Sequence, residues 1–333
     1  MNAPLTQSED ALLHHDGLFI LGSVPGLMVE TFAWAFHVGT MFFAVYALRR
    51  KGAYHSRPKT VLMVIVLFMF LVSTTLFTLH IYQFAVQVKG IYVTSMVKGQ
   101  SLTEKGAPSA VLSDKVDFAS DILFEFEFLI GDAVVLWRTW AVWSPHGSPT
   151  STHSIVILPI VLWISSFGCL LAWVITRVTQ AIEPLHWLDF NFRNDDPEFL
   201  LLTNYILSLV VNGVSTILTG YKAWKHRNLI KDSFTVLSVP TRAGRTLALL
   251  VESGMIYFVL FSILFFDFVP NPNTAGIAAS IIASLGDQVM SLYPTLIIIL
   301  VQREQTIWDS PEVWEAITTV AFEPGTHYED IVV

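Results

Sequence analysis

Charge and sulfur are the scarce components of this chain. Of its 333 residues only 14% are charged, against 53% hydrophobic, and the mean hydropathy is +0.57. A soluble domain carries roughly 25% charged residues, so a water-soluble globule is excluded and the membrane class follows. The single cysteine, Cys169, rules out an intramolecular disulfide. No Lys or Arg precedes Arg49, so the N-terminal segment lacks the basic region of a cleaved signal peptide. N-x-S/T sequons, a CaaX ending and a long internal repeat are missing as well.

The chemical motifs that are absent narrow the function. There is no GxxxxGK[ST] phosphate loop, no GxSxG nucleophile elbow and no HExxH pair. His37 and His80 alone make no zinc-ligand spacing. An enzyme is therefore not expected, and neither a cofactor, a metal nor a nucleic-acid partner is implied. The last apolar stretch has no Lys for a retinal Schiff base. The D/E-R-Y and NPxxY signatures of rhodopsin-type receptors do not occur either.

What is present is apolar length. About 30 Å of hydrocarbon takes roughly 20 apolar helical residues, and seven stretches qualify: Leu27–Leu48, Thr60–Val86, Asp117–Trp143, Ile155–Ile175, Phe199–Trp224, Arg245–Phe268 and Ala275–Val301. The expected fold is all-α, a seven-transmembrane-helix bundle. The first span has room to start near Gly17, with Pro25–Gly26 as a kink or re-entry. Lys and Arg number 13 on the side of the first, third and fifth loops and 6 on the other. The positive-inside rule then puts the N-terminus outside and the C-terminus in the cytoplasm. Residues 1–26 form an extracellular N-terminal segment, 27–301 the membrane domain and 302–333 an acidic cytoplasmic tail. Outer loops at Gln87–Val116 and Thr176–Glu198 would cap a pocket, the second with the acidic "FNFRNDDPE". In the tail, "SPEVWEAITTVAF" reads as a short amphipathic helix capped by Ser310.

The third span, "FEFEFLIGDAVVLWRTWAVW", keeps ionisable groups that lipid would not tolerate. At 100° per residue, Asp117, Asp121, Glu125 and Asp132 fall within about 80° of arc, so that stripe must face other helices or water. Glu30, His37, His80, Asp121 and Glu125 lie toward the outside and are candidate ligand-binding residues. Asp132 and Asp287 both fall near mid-membrane. Facing each other, they would share a proton or hold a cation such as sodium, with Asn212 and Gln288 adding oxygens. Arg138 and Glu252 match in depth near the inner end. Pairing would satisfy both, as a lock that opens or as a static bridge.

Three motifs carry a resemblance: "GDAVVLWRTWAVW" (131–143), "LLVESGMIYFVL" (249–260) and "SLYPTLIIILV" (291–301). They resemble the repeated signatures of a large uncharacterised group of seven-span, receptor-like proteins from mushroom-forming (basidiomycete) fungi. The likeness covers roughly 27–301 and implies that Asp132, Arg138, Glu252 and Tyr293–Pro294 are signature positions. It implies a fold rather than an activity. The expected function is a receptor-like sensor in the plasma membrane, with an extracellular small molecule or lipid as ligand and a cytoplasmic signalling protein as partner. The alternatives are a proton- or cation-coupled transporter and a structural membrane protein without a ligand.

Overall fold

A computed structural model describes residues 7–49, 57–95, 101–143, 149–181, 197–233, 242–268 and 277–308. Those residues form seven helices and no strand: α1 (Gln7–Arg49), α2 (Arg57–Val88), α3 (Leu102–Trp143), α4 (Pro149–Ala181), α5 (Pro197–Ser233), α6 (Arg242–Phe268) and α7 (Ile277–Trp308). A π-helical turn, Lys89–Val93, extends α2. All helices but α3 contain a stretch long and apolar enough to cross a membrane. Their outward faces are apolar, with Phe32 78% and Ile217 71% exposed. Such surfaces are tolerable only against lipid, and the chain is an integral, multi-pass membrane protein.

Successive helices alternate in direction. Phe118 on α3 packs against Trp173 on α4, while Trp163 donates to the Leu129 carbonyl, so the two run antiparallel. On α5, Asn204 reaches Glu125 and Asn212 reaches Asp132, so α5 runs alongside α3. The helices close into a ring in which α7 returns to α1 and α2, and α3 crosses the middle to touch α2, α4, α5 and α7. That central place explains its composition. Glu125, Glu127, Asp132, Arg138 and Thr139 are all buried, and Phe126, Trp137 and Trp140 are left to face outward. A helix surrounded by protein can carry charges that a lipid-facing helix cannot.

Two local features differ from the sequence expectation. The helix α1 is continuous from Gln7 through Pro25, so much of the expected extracellular segment is helical and there is no re-entry. At Gly26 a β-carbon would come within 2.5 Å of Ser280 Oγ and 2.8 Å of Ser284 Oγ. The bare backbone lets α1 and α7 approach as small-residue helix pairs do, and neighbours of this kind make an interior proline tolerable in a membrane helix. The expected outer loop at Gln87–Val116 is largely helical too. Ser101 and Glu104 cap α3 reciprocally: the Ser101 amide donates to Glu104 Oε2 (3.1 Å) and the Glu104 amide to Ser101 Oγ (3.2 Å). This capping box starts α3 well ahead of the expected Asp117. The acidic outer loop, residues 234–241 of the fifth loop and the Ser310 tail helix lie outside the described residues.

Candidate functional site

Toward the end of the bundle where α3 begins, α1, α2 and α7 meet through polar side chains. Glu30 on α1, His80 on α2 and Asp287 on α7 converge, with one ligand-type atom of each within 4.8 Å of the others. His80 Nδ1 lies 2.9 Å from Glu30 Oε1 and 3.7 Å from Asp287 Oδ2. Glu30 is wholly buried, and its second oxygen has no hydrogen-bond partner. Gln288 Nε2 approaches Glu30 Oε1 at 3.4 Å, and Ser73 holds Gln288 by donating to its Oε1 at 2.6 Å. Two cavities flank the trio. One, about 210 Å³, is lined by His80, Asp121, Asp287, Phe124 and Tyr205 among others. The other, about 270 Å³, is lined by Glu30, His80, Gln83, Ser280 and Asp287 among others.

His37 lies two turns deeper and lines neither cavity. Its Nδ1 is 3.3 Å from both Ser73 Oγ and Ser291 Oγ. Both hydroxyls donate elsewhere, to Gln288 Oε1 and to the Gln288 carbonyl. The network therefore assigns the hydrogen to His37 Nδ1. The ring also meets Phe70 edge-on, at 5.4 Å between centroids. His37 is a packed structural histidine rather than a lining group.

Two deeper acids of α3, Glu125 and Asp132, find amides. Asn204 donates to Glu125 and itself accepts from Ser166, which ties α3 to α5 and α4. Asn212 Nδ2 donates to Asp132 Oδ1 at 2.6 Å. The expected association of Asp132 with Asn212 is therefore present, but Asp287 turns toward Glu30 and His80 instead. Glu127 is fully buried with both carboxyl oxygens unpartnered.

Nearer the other end, Arg138 and Glu252 do not meet. Glu252 is exposed on α6, whereas Arg138 is 5% exposed. Arg138 Nη1 donates to Tyr293 Oη at 3.3 Å, and its Nε and Nη2 have no hydrogen-bond partner. Depth alone had matched the two. Rotation about α6 separates them and turns Gly254 inward instead: a β-carbon there would sit 3.0 Å from Arg138 Nη2 and 2.8 Å from Thr216 Oγ1. In the E-S-G motif it is the glycine, not the glutamate, that serves the arginine.

An aromatic column joins the two ends. Phe124, on the wall of the smaller cavity, meets Phe128 at 4.6 Å, and Phe128 meets Phe261 at 4.9 Å. Phe261 continues to Tyr257 at 5.7 Å, and Tyr257 stacks on Tyr293 at 4.0 Å, beside Arg138. Sequence reasoning missed Ser73, Asn204 and Gly254, and it placed Gln288 beside Asp132 rather than beside Glu30. A membrane-embedded Asn is the signal that would have flagged one of the three. No protein-family model, curated protein or solved structure matches the chain.

Proposed function

We propose that the chain is a seven-span, receptor-like sensor, with its N-terminus outside and its C-terminus in the cytoplasm of the plasma membrane. Its ligand is a small cationic or hydrogen-bonding molecule, and its partner a cytoplasmic signalling protein. The observation that carries this reading is the acidic cavity lined by His80, Asp121 and Asp287, with Phe124 and Tyr205 on the same wall. Tyr205 stacks on Phe261 at 4.4 Å, so two of the lining residues belong to the packed column that ends at Arg138. A ligand that moves either ring pushes on side chains that reach the opposite end, and tightly packed interiors transmit such displacement. The resemblance of the Arg138, Glu252 and Tyr293–Pro294 motifs to fungal seven-span proteins supports the same topology.

The test is a melting curve of the full chain in lipid nanodiscs against a panel of organic amines. A binder should raise the melting temperature, and Asp121→Asn should abolish that rise without unfolding the protein. If no amine stabilises the chain, or if Asp121→Asn leaves the response intact, the sensor reading fails. Transport is a second reading, favoured by the buried carboxyls of Glu30, Glu127 and Asp132. It requires pH-dependent uptake in proteoliposomes that Asp132→Asn removes.

A further inference from the structure

We propose that Glu30, His80 and Asp287 form a binding site for a divalent transition-metal ion, with zinc as the best match. Imidazole and carboxylate are both zinc ligands, and three protein ligands, here from three different helices, with a fourth position left open is the layout of catalytic zinc sites. Imidazole nitrogen argues against calcium, magnesium or sodium, which prefer all-oxygen shells.

The distances fit a nearly formed site. Ligands bound to zinc at about 2.0–2.1 Å in a tetrahedron lie roughly 3.4 Å from one another. His80 Nδ1 is 2.9 Å from Glu30 Oε1 and 3.7 Å from Asp287 Oδ2, so adjustments of about half an ångström complete two of the edges. Glu30 also offers its second oxygen, buried and without a hydrogen-bond partner. A metal would take the place now filled by the hydrogen between His80 and Glu30.

Charge gives an independent argument. Two carboxylates on helices that face lipid elsewhere are costly without neutralisation, and a divalent ion balances both. Glu127 adds to the demand. It is fully buried, both its oxygens lack partners, and it lies within electrostatic reach of Asp287. The surroundings also hold the ligands in place: Gln288 approaches Glu30, and Ser73 fixes Gln288, as residues behind metal ligands commonly do. The three ligands line the two cavities between them, so a fourth position is open to water or to a donor atom of a small molecule. The sequence shows no metal spacing because positions 30, 80 and 287 are brought together only by closure of α7 onto α1 and α2. The inference does not rest on the sensor reading, since a bundle that senses nothing would satisfy it equally.

The experiment uses the full-length protein in detergent, stripped with a chelator and titrated with zinc alone and with cobalt alone. The expected result is one zinc per chain and a cobalt absorption spectrum of four-coordinate intensity. Glu30→Gln and Asp287→Asn, which preserve shape, should each weaken metal binding more than tenfold, a loss at least as large as the 10–100-fold seen when residues behind the ligands of known sites are changed. Asp114→Asn, at an exposed acid outside both cavities, should bind as the unaltered chain does. Zinc-edge X-ray absorption on the unaltered chain gives an answer even if the variants fail to fold. One imidazole with oxygen neighbours supports the site, and an all-oxygen shell or several imidazoles overturns it. Failure of the stripped protein to retain zinc, or an unchanged cobalt spectrum in folded Glu30→Gln, also overturns it.

Discussion

Arg138 is buried with one weak phenol contact and, among the described residues, no carboxylate partner, while the Glu252 carboxyl is exposed. Charge reversal therefore has an asymmetric outcome. Glu252→Arg exchanges one exposed ionisable group for another near the end of α6, where a long side chain can reach the membrane surface, and should lower the melting temperature far less than a change at Arg138. Arg138→Glu should be severe, and the double reversal should melt no higher than Arg138→Glu alone. Recovery in the double variant, read from thermal melts in detergent, would restore the salt bridge. Glycines give a second contrast. At Gly168 nothing lies within 4 Å of an added β-carbon, so alanine should stabilise by up to about 1 kcal/mol through helix propensity. At Gly254 the same change meets Thr216 and Arg138, and overpacking of about 1–3 kcal/mol should outweigh that gain. Equal melting shifts for the two variants would refute the close approach at α6. Composition made the inward turn of Glu125 and Asp132 legible, because lipid excludes carboxylates. The rotation of α6 was not legible, because both Glu252 and Gly254 sit among apolar neighbours that fit either face.

Helix α3 owes its first turns to a cap rather than to hydrophobicity. Ser101→Ala removes the acceptor for the Glu104 amide and should cost about 0.5–2 kcal/mol locally. Hydrogen exchange should speed up at residues 102–106 and leave the buried stretch 125–139 protected. Uniform exchange along α3 would contradict the capping box. The S-x-x-E spacing at 101–104 is a readable signal, but a span bounded by hydropathy alone begins only at Asp117. The opposite held for α1, where Pro25 suggested a break. A proline breaks a helix only if its freed carbonyl and bent axis find no support, and Gly26 nests against Ser280 and Ser284 of α7. That support belongs to another helix, 254 residues away in the chain, so no local pattern reveals it.

Hydropathy set the number and rough limits of the helices, and the six apolar ones follow it closely. The polar site was legible only as a list of suspicious residues. Of the expected group Glu30, His37, His80, Asp121 and Glu125, only Glu30, His80 and Asp121 line the two cavities, and Asp287 was assigned to Asp132 because depth was matched without azimuth. The proposed orientation of the whole bundle rests on the 13 to 6 division of Lys and Arg and is open to direct measurement. In a Cys169→Ser background, Lys115→Cys should react with a membrane-impermeant maleimide on intact cells. Lys225→Cys, exposed at the other end of the bundle, should react only after permeabilisation. The reverse labelling would invert the topology and with it the side from which the acidic cavity is reached.

The contact between Gly26 and Ser280 also sets an order of assembly. The first helix leaves the ribosome hundreds of residues before its partner α7, and membrane helices insert before they associate. Until translation is nearly complete, Glu30 waits in a half-built groove with His80 of α2 beside it and the α7 side open. A nascent chain arrested after α6 would thus present an acid covered on one side only, a mark that sets unfinished molecules apart from finished ones.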